Sequence, residues 1–441
     1  MEIDSKQVSP SKQLVILSCI FMLLSVLLYW LPAFTWIFLL IQGLAVFLLL
    51  IDYLSTFRTL KIKVSRLVRH NLPVDVTSQI TIKIHNLDSF TRTLCFHDHH
   101  PTHFQSKNLP YCQQIPANQG IKFDYTVIPQ KRGDAEFKGF DLVIHSLFGF
   151  WRSHYFIQQL DQVKVFPNFK ELINLTLLAA NNQLSQVGIR KQQKRGEGND
   201  FRQLREYHAG DTLRQIDWKA SSRYQKLISK EYQDERDQQI LFLLDCGRKM
   251  QHQDGARIHL DQALNAMLVL AFIALEQGDA AGFMTFGGVE RWHPARKNST
   301  AVTRLLHQIY DIHATSAAAD YLIAAQKLMQ LQRRRAMVII LTNSRDEDFN
   351  QLKSAVRLLS RQHLVVVADL REEFLNETLE NPIQNFDEAL KYQAVSDYIN
   401  TRVQQRRHLT HLGALVLDVT AKQLPMTLVN QYLAIKQAGR L

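Results

Sequence analysis

The sequence predicts three parts in order along its 441 residues: a membrane α-helical hairpin, a small β-sandwich and a doubly wound α/β domain. Two long uncharged apolar runs near the start predict the hairpin. Strand-like alternation between about residues 61 and 166 predicts the sandwich. Beyond residue 239, short apolar strands alternate with helical segments, which is typical of a parallel sheet covered by helices. The apolar fraction of 46% is sufficient for such cores.

The two apolar runs cover residues 14–30 and 33–51, and neither contains Lys, Arg, Asp or Glu. A spanning helix needs about 17–25 apolar residues, so each run is long enough. Leu31-Pro32 separates them, and proline ends a helix there. We predict a hairpin over residues 14–57 after an N-terminal segment of residues 1–13. A cleaved signal peptide lacks its small-residue cleavage site here, and a buried soluble hairpin is disfavoured by two such uncharged runs.

The positions of the basic residues predict the orientation of the hairpin. Lys6 and Lys12 precede it, a basic cluster occupies residues 58–69, and the turn is uncharged. The positive-inside rule therefore places both ends in the cytoplasm, and we expect the hairpin in the cytoplasmic (inner) membrane. That cluster explains part of the net charge of +11, and since no nucleic-acid module is recognisable we expect no nucleic-acid partner.

The middle of the chain, residues 61–167, is predicted to be an antiparallel sandwich because proline and glycine punctuate its strand-like segments. These segments cover residues 61–68, 79–85, 121–128, 137–145 and 162–166. Four cysteines in so long a chain indicate a reducing compartment, and only Cys95 and Cys112 are candidates for pairing.

A His-rich stretch in this region contains side chains of metal-ligand type. It consists of Cys95, His97, Asp98, His99, His100 and His103. The alternative is a polar loop between strands. We favour the loop because the spacing matches no recognised zinc pattern.

Residues 168–199 are predicted to form a helix and a linker, since residues 181–199 are rich in Gln, Asn, Gly and Lys. The α/β domain then covers residues 200–441. Its predicted strands are residues 239–244, 280–286, 335–341, 363–369 and 414–419. A helix over residues 256–277 is apolar almost all round from residue 266 to residue 275, which predicts a buried helix, and residues 425–437 form the last helix.

Residues 195–223 form a motif in which acidic, basic and apolar residues alternate, and we call it the signature. Its characteristic residues are Leu204, Arg205, Glu206, Tyr207, Gly210, Asp211, Arg214, Ile216, Asp217, Trp218, Lys219 and Arg223. One hypothesis makes Arg205, Arg214, Asp217 and Lys219 a recognition surface for a partner protein.

The other hypothesis makes the signature charges a salt-bridge lattice that clamps the segment onto the first strand, with Trp218, Tyr207 and Ile216 packed beneath. Exposed pairs contribute only about 0–1 kcal/mol each, whereas a partly buried network contributes more, so we favour the structural role. A catalytic role for His208, Asp211 and Asp217 is disfavoured because no nucleophile or phosphate-binding loop accompanies them.

The signature, read as L-R-E-Y-x-x-G-D-x-x-R-x-I-D-W-K from Leu204, resembles the family called domain of unknown function 58. Lys131-Arg132-Gly133 and Leu147-Phe148-Gly149-Phe150 resemble further elements of that family, although Ser146-Leu147 stands where the family has Asp-Pro. The resemblance implies a von Willebrand factor A-like α/β domain. It also implies work with a MoxR-type AAA+ ATPase in assembling or activating a client protein complex.

Domains of the von Willebrand factor A type hold a divalent cation with a D-x-S-x-S motif after the first strand. Here Gly247 and Lys249 stand at the serine positions after Asp245, and Asn343 stands where a later Asp is expected. We therefore expect no cofactor, and a Mg²⁺ ion at Asp245 is the weaker prediction. In the alternative, Asp245 caps a turn or pairs with Arg248 or Lys249.

Two functions follow from these observations. The favoured hypothesis is a non-enzymatic, membrane-anchored adaptor that recognises an ATPase or a client. The alternative is a cation-dependent ligand-binding or hydrolytic domain centred on Asp245.

Overall fold

The computed structural model describes residues 3–28, 35–56, 61–168, 200–208, 213–233, 238–255, 257–297 and 301–440. The chain divides into two compact units, Met1–Asn168 and Phe169–Leu441. The predicted turn at Leu31-Pro32 lies outside the described residues, as does the predicted helix and linker beyond Asn168.

Two apolar helices, α1 (Lys12–Leu28) and α2 (Thr35–Ser55), contain the two predicted runs. Among the described residues, two helices are long and apolar enough to span a membrane, in part of α2 and in His259–Glu276. Only 11% of the α2 window is buried, against 72% of the other. Thus His259–Glu276 is a core helix, as predicted, while the exposed apolar side chains of α1 and α2 support membrane association.

The first unit contains ten strands among its described residues. These are β1 (Ile3–Pro10), β2 (Ile62–Leu67), β3 (Asn71–Pro73), β4 (Ser78–Asn86), β5 (Arg92–Asp98), β6 (Phe104–Lys107), β7 (Tyr111–Ile115), β8 (Gly120–Pro129), β9 (Gly133–His145) and β10 (Trp151–Phe166). One sheet has the order β1-β10-β9-β5-β7 with β3 beside β10, and the other β2-β4-β8-β6. Strand β3 runs parallel to β10. Side chains of both sheets share one core, and each predicted strand lies largely within an observed one.

Strand β1 lies in the N-terminal segment, for which the sequence predicts a cytoplasmic location but no secondary structure. It pairs antiparallel with β10, from Ser5 opposite Phe156 to Pro10 opposite Trp151. Its sequence is polar and carries no strand-like apolar pattern, so the pairing of its backbone with a neighbouring strand supplies the structure.

The predicted loop accounts for half of the His-rich stretch: His99, His100 and His103 lie between β5 and β6, whereas Cys95, His97 and Asp98 lie on β5. Asp98 is buried in the core, where Arg66 Nη2 and Nε donate to its two oxygens at 2.6 and 3.0 Å. The Tyr125 hydroxyl also donates to Asp98, at 2.5 Å. Asp98 therefore already has charged and polar partners within the core.

The sequence leaves the pairing of Cys95 and Cys112 open, and the structure joins them by a disulfide. The two residues lie directly opposite each other on β5 and β7. The pair therefore links two neighbouring strands of the larger sheet, which disagrees with the reducing compartment predicted from the small number of cysteines.

A buried carboxylate near the end of α2 organises the loop between β9 and β10. Asp52 accepts hydrogen bonds from the Ser146 hydroxyl at 2.6 Å and from the backbone N–H groups of Phe148 and Phe150 at 2.9 and 3.2 Å. Ser146 is thus a donor to Asp52. The indole N–H of Trp151 adds a bond to the carbonyl oxygen of Leu49 at 3.3 Å.

The second unit is built around a six-stranded sheet. The described strands of this unit, whether or not they belong to that sheet, are β11 (Asp200–Glu206), β12 (Ile228–Gln233), β13 (Gln239–Asp245), β14 (Gln253–Asp254), β15 (Arg257–Ile258), β16 (Ala280–Phe286), β17 (Trp292–Arg296), β18 (Met337–Thr342), β19 (Leu364–Arg371) and β20 (Leu415–Thr420). The six-stranded order is β17-β16-β13-β18-β19-β20. All neighbours are parallel except β16 and β17. The sequence predicts all of these sheet strands except β17.

The described helices of this unit are α3 (Trp218–Tyr224), α4 (His259–Glu276), α5 (Ala301–Ile309), α6 (Tyr321–Leu331), α7 (Phe349–Leu359), α8 (Glu373–Glu380), α9 (Phe386–His411) and α10 (Leu424–Gln437). Helices α4 and α10 pack against one face of the sheet, and α6 and α7 against the other. Successive residues of β13 alternate between the two cores, because side chains alternate along a strand. The order of strands reverses between β13 and β18, and such a switch point leaves a crevice at the carboxyl ends of the strands.

We expect Asp98→Ala to lower the free energy of unfolding by about 3–5 kcal/mol, since it leaves the Arg66 guanidinium buried without its bidentate partner. The matched change is Asp161→Ala. Asp161 also pairs with Arg66, at 2.7 Å, but its side chain is 30% exposed, so water can replace it. Urea unfolding of the full chain in detergent, followed by tryptophan fluorescence, measures both. Equal losses in the two variants would contradict the stated role of burial.

Candidate functional site

The signature contributes one strand of a separate two-stranded sheet. Strand β11 pairs antiparallel with β12, with Arg205 opposite Ser229 and Glu206 opposite Ile228. The strand therefore pairs within its own sheet, not with the first strand of the six-stranded sheet. Gly210, Asp211 and the side chain of Arg214 lie outside the described residues.

Asp217 begins helix α3 as its N-cap. Its carboxylate accepts hydrogen bonds from the backbone N–H groups of Lys219 and Ala220, both at 3.0 Å. The bond from Ala220 is the main reason that the pKa of Asp217 is lowered, and the ammonium of Lys230, at 3.4 Å, adds to it. A short acceptor side chain at this position satisfies N–H groups that have no partner within the helix.

The other signature charges make contacts at the surface. Glu206 pairs with Lys226 at 2.9 Å, and this hydrogen bond lowers the pKa of Glu206. Arg205 contacts the ring nitrogen Nδ1 of His208 at 3.0 Å. Glu206 and Lys226 are exposed, while the side chain of Asp217 is 21% exposed, and the two partner cations, Lys226 and Lys230, are not among the characteristic residues of the signature. The described charges therefore form separate pairs, and their arrangement as one lattice stays a prediction.

The predicted packing of the apolar residues of the signature is confirmed only in part. Ile216 is buried and forms a bridge with Ser229, and Tyr207 is half-buried. Trp218, however, is 68% exposed. The favoured structural hypothesis required this indole to lie beneath the segment, so its exposure favours the recognition hypothesis.

An exposed surface of mixed apolar and basic character lies on and beside α3, and we call it the signature face. It comprises Leu213, Trp218, Lys219, Arg223 and Tyr224, all of which are exposed. Lys219 and Arg223 are neighbours on the helix surface because they are four residues apart. Trp218 is the first residue of the helix, and buried Ser221 marks the side of α3 that packs.

Asp245 ends β13 at the switch point and is fully buried. Its carboxylate accepts hydrogen bonds from Gly247 N at 2.8 Å, Thr342 Oγ1 at 2.7 Å and the Tyr321 hydroxyl at 3.2 Å. Burial raises the pKa of Asp245 despite these donors. The bond from Gly247 confirms that Asp245 caps a turn. Sequence reasoning missed Tyr321 and Thr342, although Thr342 ends the strand next to β13 and its position was a usable signal.

The other residues at the predicted cation site contact acidic side chains other than Asp245. Lys249 forms an ion pair with Asp348, and Arg248 lies 3.6 Å from Glu347, so neither cation hydrogen-bonds to Asp245. Burial lowers the pKa of Lys249. The amide of Asn343 donates to Glu372 Oε1 at 3.0 Å.

These residues do not fit a Mg²⁺ ion, which takes hard oxygen ligands. The two serine positions hold a glycine and a lysine, and burial favours the neutral form of Asp245. A Cβ atom added at Gly247 would lie 2.9 Å from the carbonyl oxygen of Ala317, so even a serine there would require the backbone to move.

Comparisons with known proteins match parts of this chain. A family model described as protein of unknown function DUF58 matches residues 203–407, less than half of the 441 residues. An uncharacterized protein, YeaD of Bacillus subtilis (strain 168), is 24% identical over 152 residues, which are 34% of this chain and 35% of YeaD. The chain thus spans about a third of the length of this relative.

Solved structures match about a quarter of the chain. Escherichia coli alpha-2-macroglobulin activated by porcine elastase is 17% identical with a TM-score of 0.19, over 24% of this chain and 10% of that one. The ASH/PapD-like domain of human CEP192 is 12% identical with a TM-score of 0.17, over 25% of this chain and 84% of that one.

We expect Asp245→Asn to remove part of the pH dependence of folding. Burial raises the pKa of Asp245, so between the ordinary aspartate pKa of about 3.9 and the raised value the unfolded chain has released a proton that the folded chain retains. Stability then falls as the pH rises through that window. Asparagine does not titrate, so the melting temperature of the variant should rise relative to wild type with increasing pH.

Thermal unfolding from about pH 4 to pH 8 measures this difference. Asp320→Asn controls for the loss of a carboxylate, because Asp320 is the exposed N-cap of α6. Parallel profiles for wild type and Asp245→Asn would refute the expectation.

Proposed function

We propose that this chain is a non-enzymatic, membrane-anchored adaptor whose second unit recognises a partner protein. The observation that carries the proposal is the exposure of Trp218 (68%) and Leu213 (71%) on the signature face. Large apolar side chains that lie together at a surface mark interaction sites. Tryptophan is also among the residues that dominate binding energy at protein interfaces.

The charges of the signature face indicate the chemistry of the partner. Lys219 and Arg223 are exposed on α3, the helix that Trp218 begins. An apolar centre flanked by cations suits a partner that offers an apolar pocket bordered by carboxylates. Such complementarity mainly increases the rate and specificity of association.

The fold of the second unit supports a protein-recognition role. A six-stranded sheet with an antiparallel edge strand and helices on both faces resembles the von Willebrand factor A domain. The resemblance to the family of domain of unknown function 58 implies a MoxR-type AAA+ ATPase as the partner, with a client protein complex as the object of their joint action. We propose these partners and no nucleic acid.

The anchor in this proposal is the hairpin of α1 and α2. Most of the large apolar side chains that are exposed in the first unit belong to these helices. The basic residues on both sides of the hairpin favour an orientation with both soluble units at the cytoplasmic face of the inner membrane. An adaptor held there would present the signature face to cytoplasmic partners.

We expect Trp218→Ala to weaken partner binding by at least about 2 kcal/mol, roughly 30-fold, because interface tryptophans of this kind contribute that much. The folded state should change by no more than about 0.5 kcal/mol, since the side chain is exposed. The measurement is affinity purification of the full-length protein from gently solubilised membranes, with and without ATP, followed by mass spectrometry.

Phe386→Ala is the matched control, because Phe386 is an aromatic residue at the start of α9 with 80% exposure. Recovery of an AAA+ ATPase with wild type and Phe386→Ala, but not with Trp218→Ala, supports the proposal. An unchanged set of partners in a folded Trp218→Ala protein would overturn it.

A further inference from the structure

A tight hairpin next to the sheet brings three side chains of metal-ligand type together. Strands β14 and β15 pair antiparallel around Gly255, whose φ of +64° is left-handed and suits glycine. His252 and Asp254 lie on one arm, and His259 begins α4 directly after the other. The backbone N–H of His259 donates to the carbonyl oxygen of His252 at 2.8 Å, which fixes the spacing.

The ligand atoms of these three residues lie within 4.8 Å of one another. Asp254 Oδ2 is 2.7 Å from His259 Nε2, and Asp254 Oδ1 is 3.4 Å from His252 Nε2. In a tetrahedral zinc site with bonds of about 2.0–2.1 Å, neighbouring ligand atoms are roughly 3.3 Å apart. The two measured separations lie on either side of that value, so small side-chain rotations would place an ion between them.

Two buried acceptor atoms beside this hairpin are an independent sign of a ligand. The amide nitrogen of Asn343 lies 3.4 Å from His259 Nδ1 and donates to Glu372. Asn343 Oδ1 and Glu372 Oε2 are buried, yet neither has a hydrogen-bond partner among the described residues. Unsatisfied buried acceptors are costly, so their presence requires an explanation.

We propose that His252, Asp254 and His259 bind a divalent transition-metal ion of the zinc type. Two imidazoles and one carboxylate are a common three-ligand set for such ions and leave a fourth position open. When His259 Nε2 binds a metal, the ring carries its proton on Nδ1, and ligating histidines normally donate that proton to a neighbouring acceptor. Asn343 lies on this side of the ring with its amide nitrogen toward Nδ1, so the amide must turn to present Oδ1 to that proton.

The open position is reached from solvent on the His252 side. The His252 side chain is 31% exposed, whereas that of His259 is fully buried. A cavity of about 370 Å³ is lined by Arg248, Lys249, Gln251, His252, Arg345 and Glu347. Three of these side chains are cationic, so the ligand suited to the fourth position is water or a small anion.

A purely structural role accounts for less of this arrangement. A hydrogen bond between His259 and Asp254 would by itself stabilise the start of α4. It gives no reason for a second imidazole within 3.4 Å of the same carboxylate or for two unsatisfied acceptors next to the pair. A bound ion gives a reason for the second imidazole and, through the proton it leaves on His259 Nδ1, for the acceptor of Asn343.

The test uses the full-length protein in detergent, stripped with a chelator and dialysed. Calorimetric titration with ZnCl₂ should show one site that His252→Ala weakens by more than the roughly 10–100-fold typical of changes to outer-shell partners. His252 is partly exposed, so this variant should fold; a circular dichroism melt verifies it. Visible absorption of added Co²⁺ is the second readout, because it reports ligand number directly.

His100→Ala is the matched control, since the His-rich stretch of the first unit is the other place where this chain could hold zinc. Loss of the zinc site and of the Co²⁺ spectrum in His252→Ala, with both retained in His100→Ala, supports the proposal. No stoichiometric binding by wild type, or binding that survives in His252→Ala, overturns it.

Discussion

Carboxylates buried at the carboxyl ends of the parallel strands set the polar arrangement of the second unit. A charge removed from water costs several kcal/mol unless charged and hydrogen-bonding partners surround it. Asp369 illustrates the consequence, because Arg402 pairs with it at 2.7 Å and Ser344 donates to it from both its backbone and its hydroxyl group. Burial still raises the pKa of Asp369 to about 6. Helix α9 must therefore pack where Arg402 reaches the sheet.

The same constraint operates in the first unit with different residues. Asp98 lies in the core of two packed sheets, and Arg66, Tyr125 and the rings of Phe137 and Phe140 enclose its charge pair. A charged residue at a core-facing position of an alternating strand, such as Arg66 on β2, therefore requires a buried partner on another strand. Buried Asp52 extends the principle to a loop, because its carboxylate holds backbone N–H groups that have no strand partner.

Continuous apolar strands were predictable, because burial on both faces removes the need for polar residues: β13, β16 and β18 match their predictions closely. Strands β1 and β17 were missed because backbone pairing, not side-chain pattern, forms them. The exposure of Trp218 was unpredictable, since its position in the motif does not show which side of α3 packs. Likewise, the spacing of residues 252, 254 and 259 indicates a site only once the hairpin closes.

Asp245 and the His252–Asp254–His259 hairpin lie close together in sequence, yet their hydrogen bonding differs in a way that bears on chemistry. Every donor around Asp245 is engaged, and burial favours its neutral form, so a cation would have to displace protein hydrogen bonds to bind there. At the hairpin, the imidazoles of His252 and His259 lie beside the carboxylate of Asp254, and His252 is within reach of solvent. Two buried acceptor atoms next to them have no hydrogen-bond partner among the described residues. Ligand binding stabilises a folded chain most where it satisfies groups that folding has left unsatisfied. We therefore propose the hairpin as the ligand site at this edge of the sheet, while Asp245 holds the turn after β13.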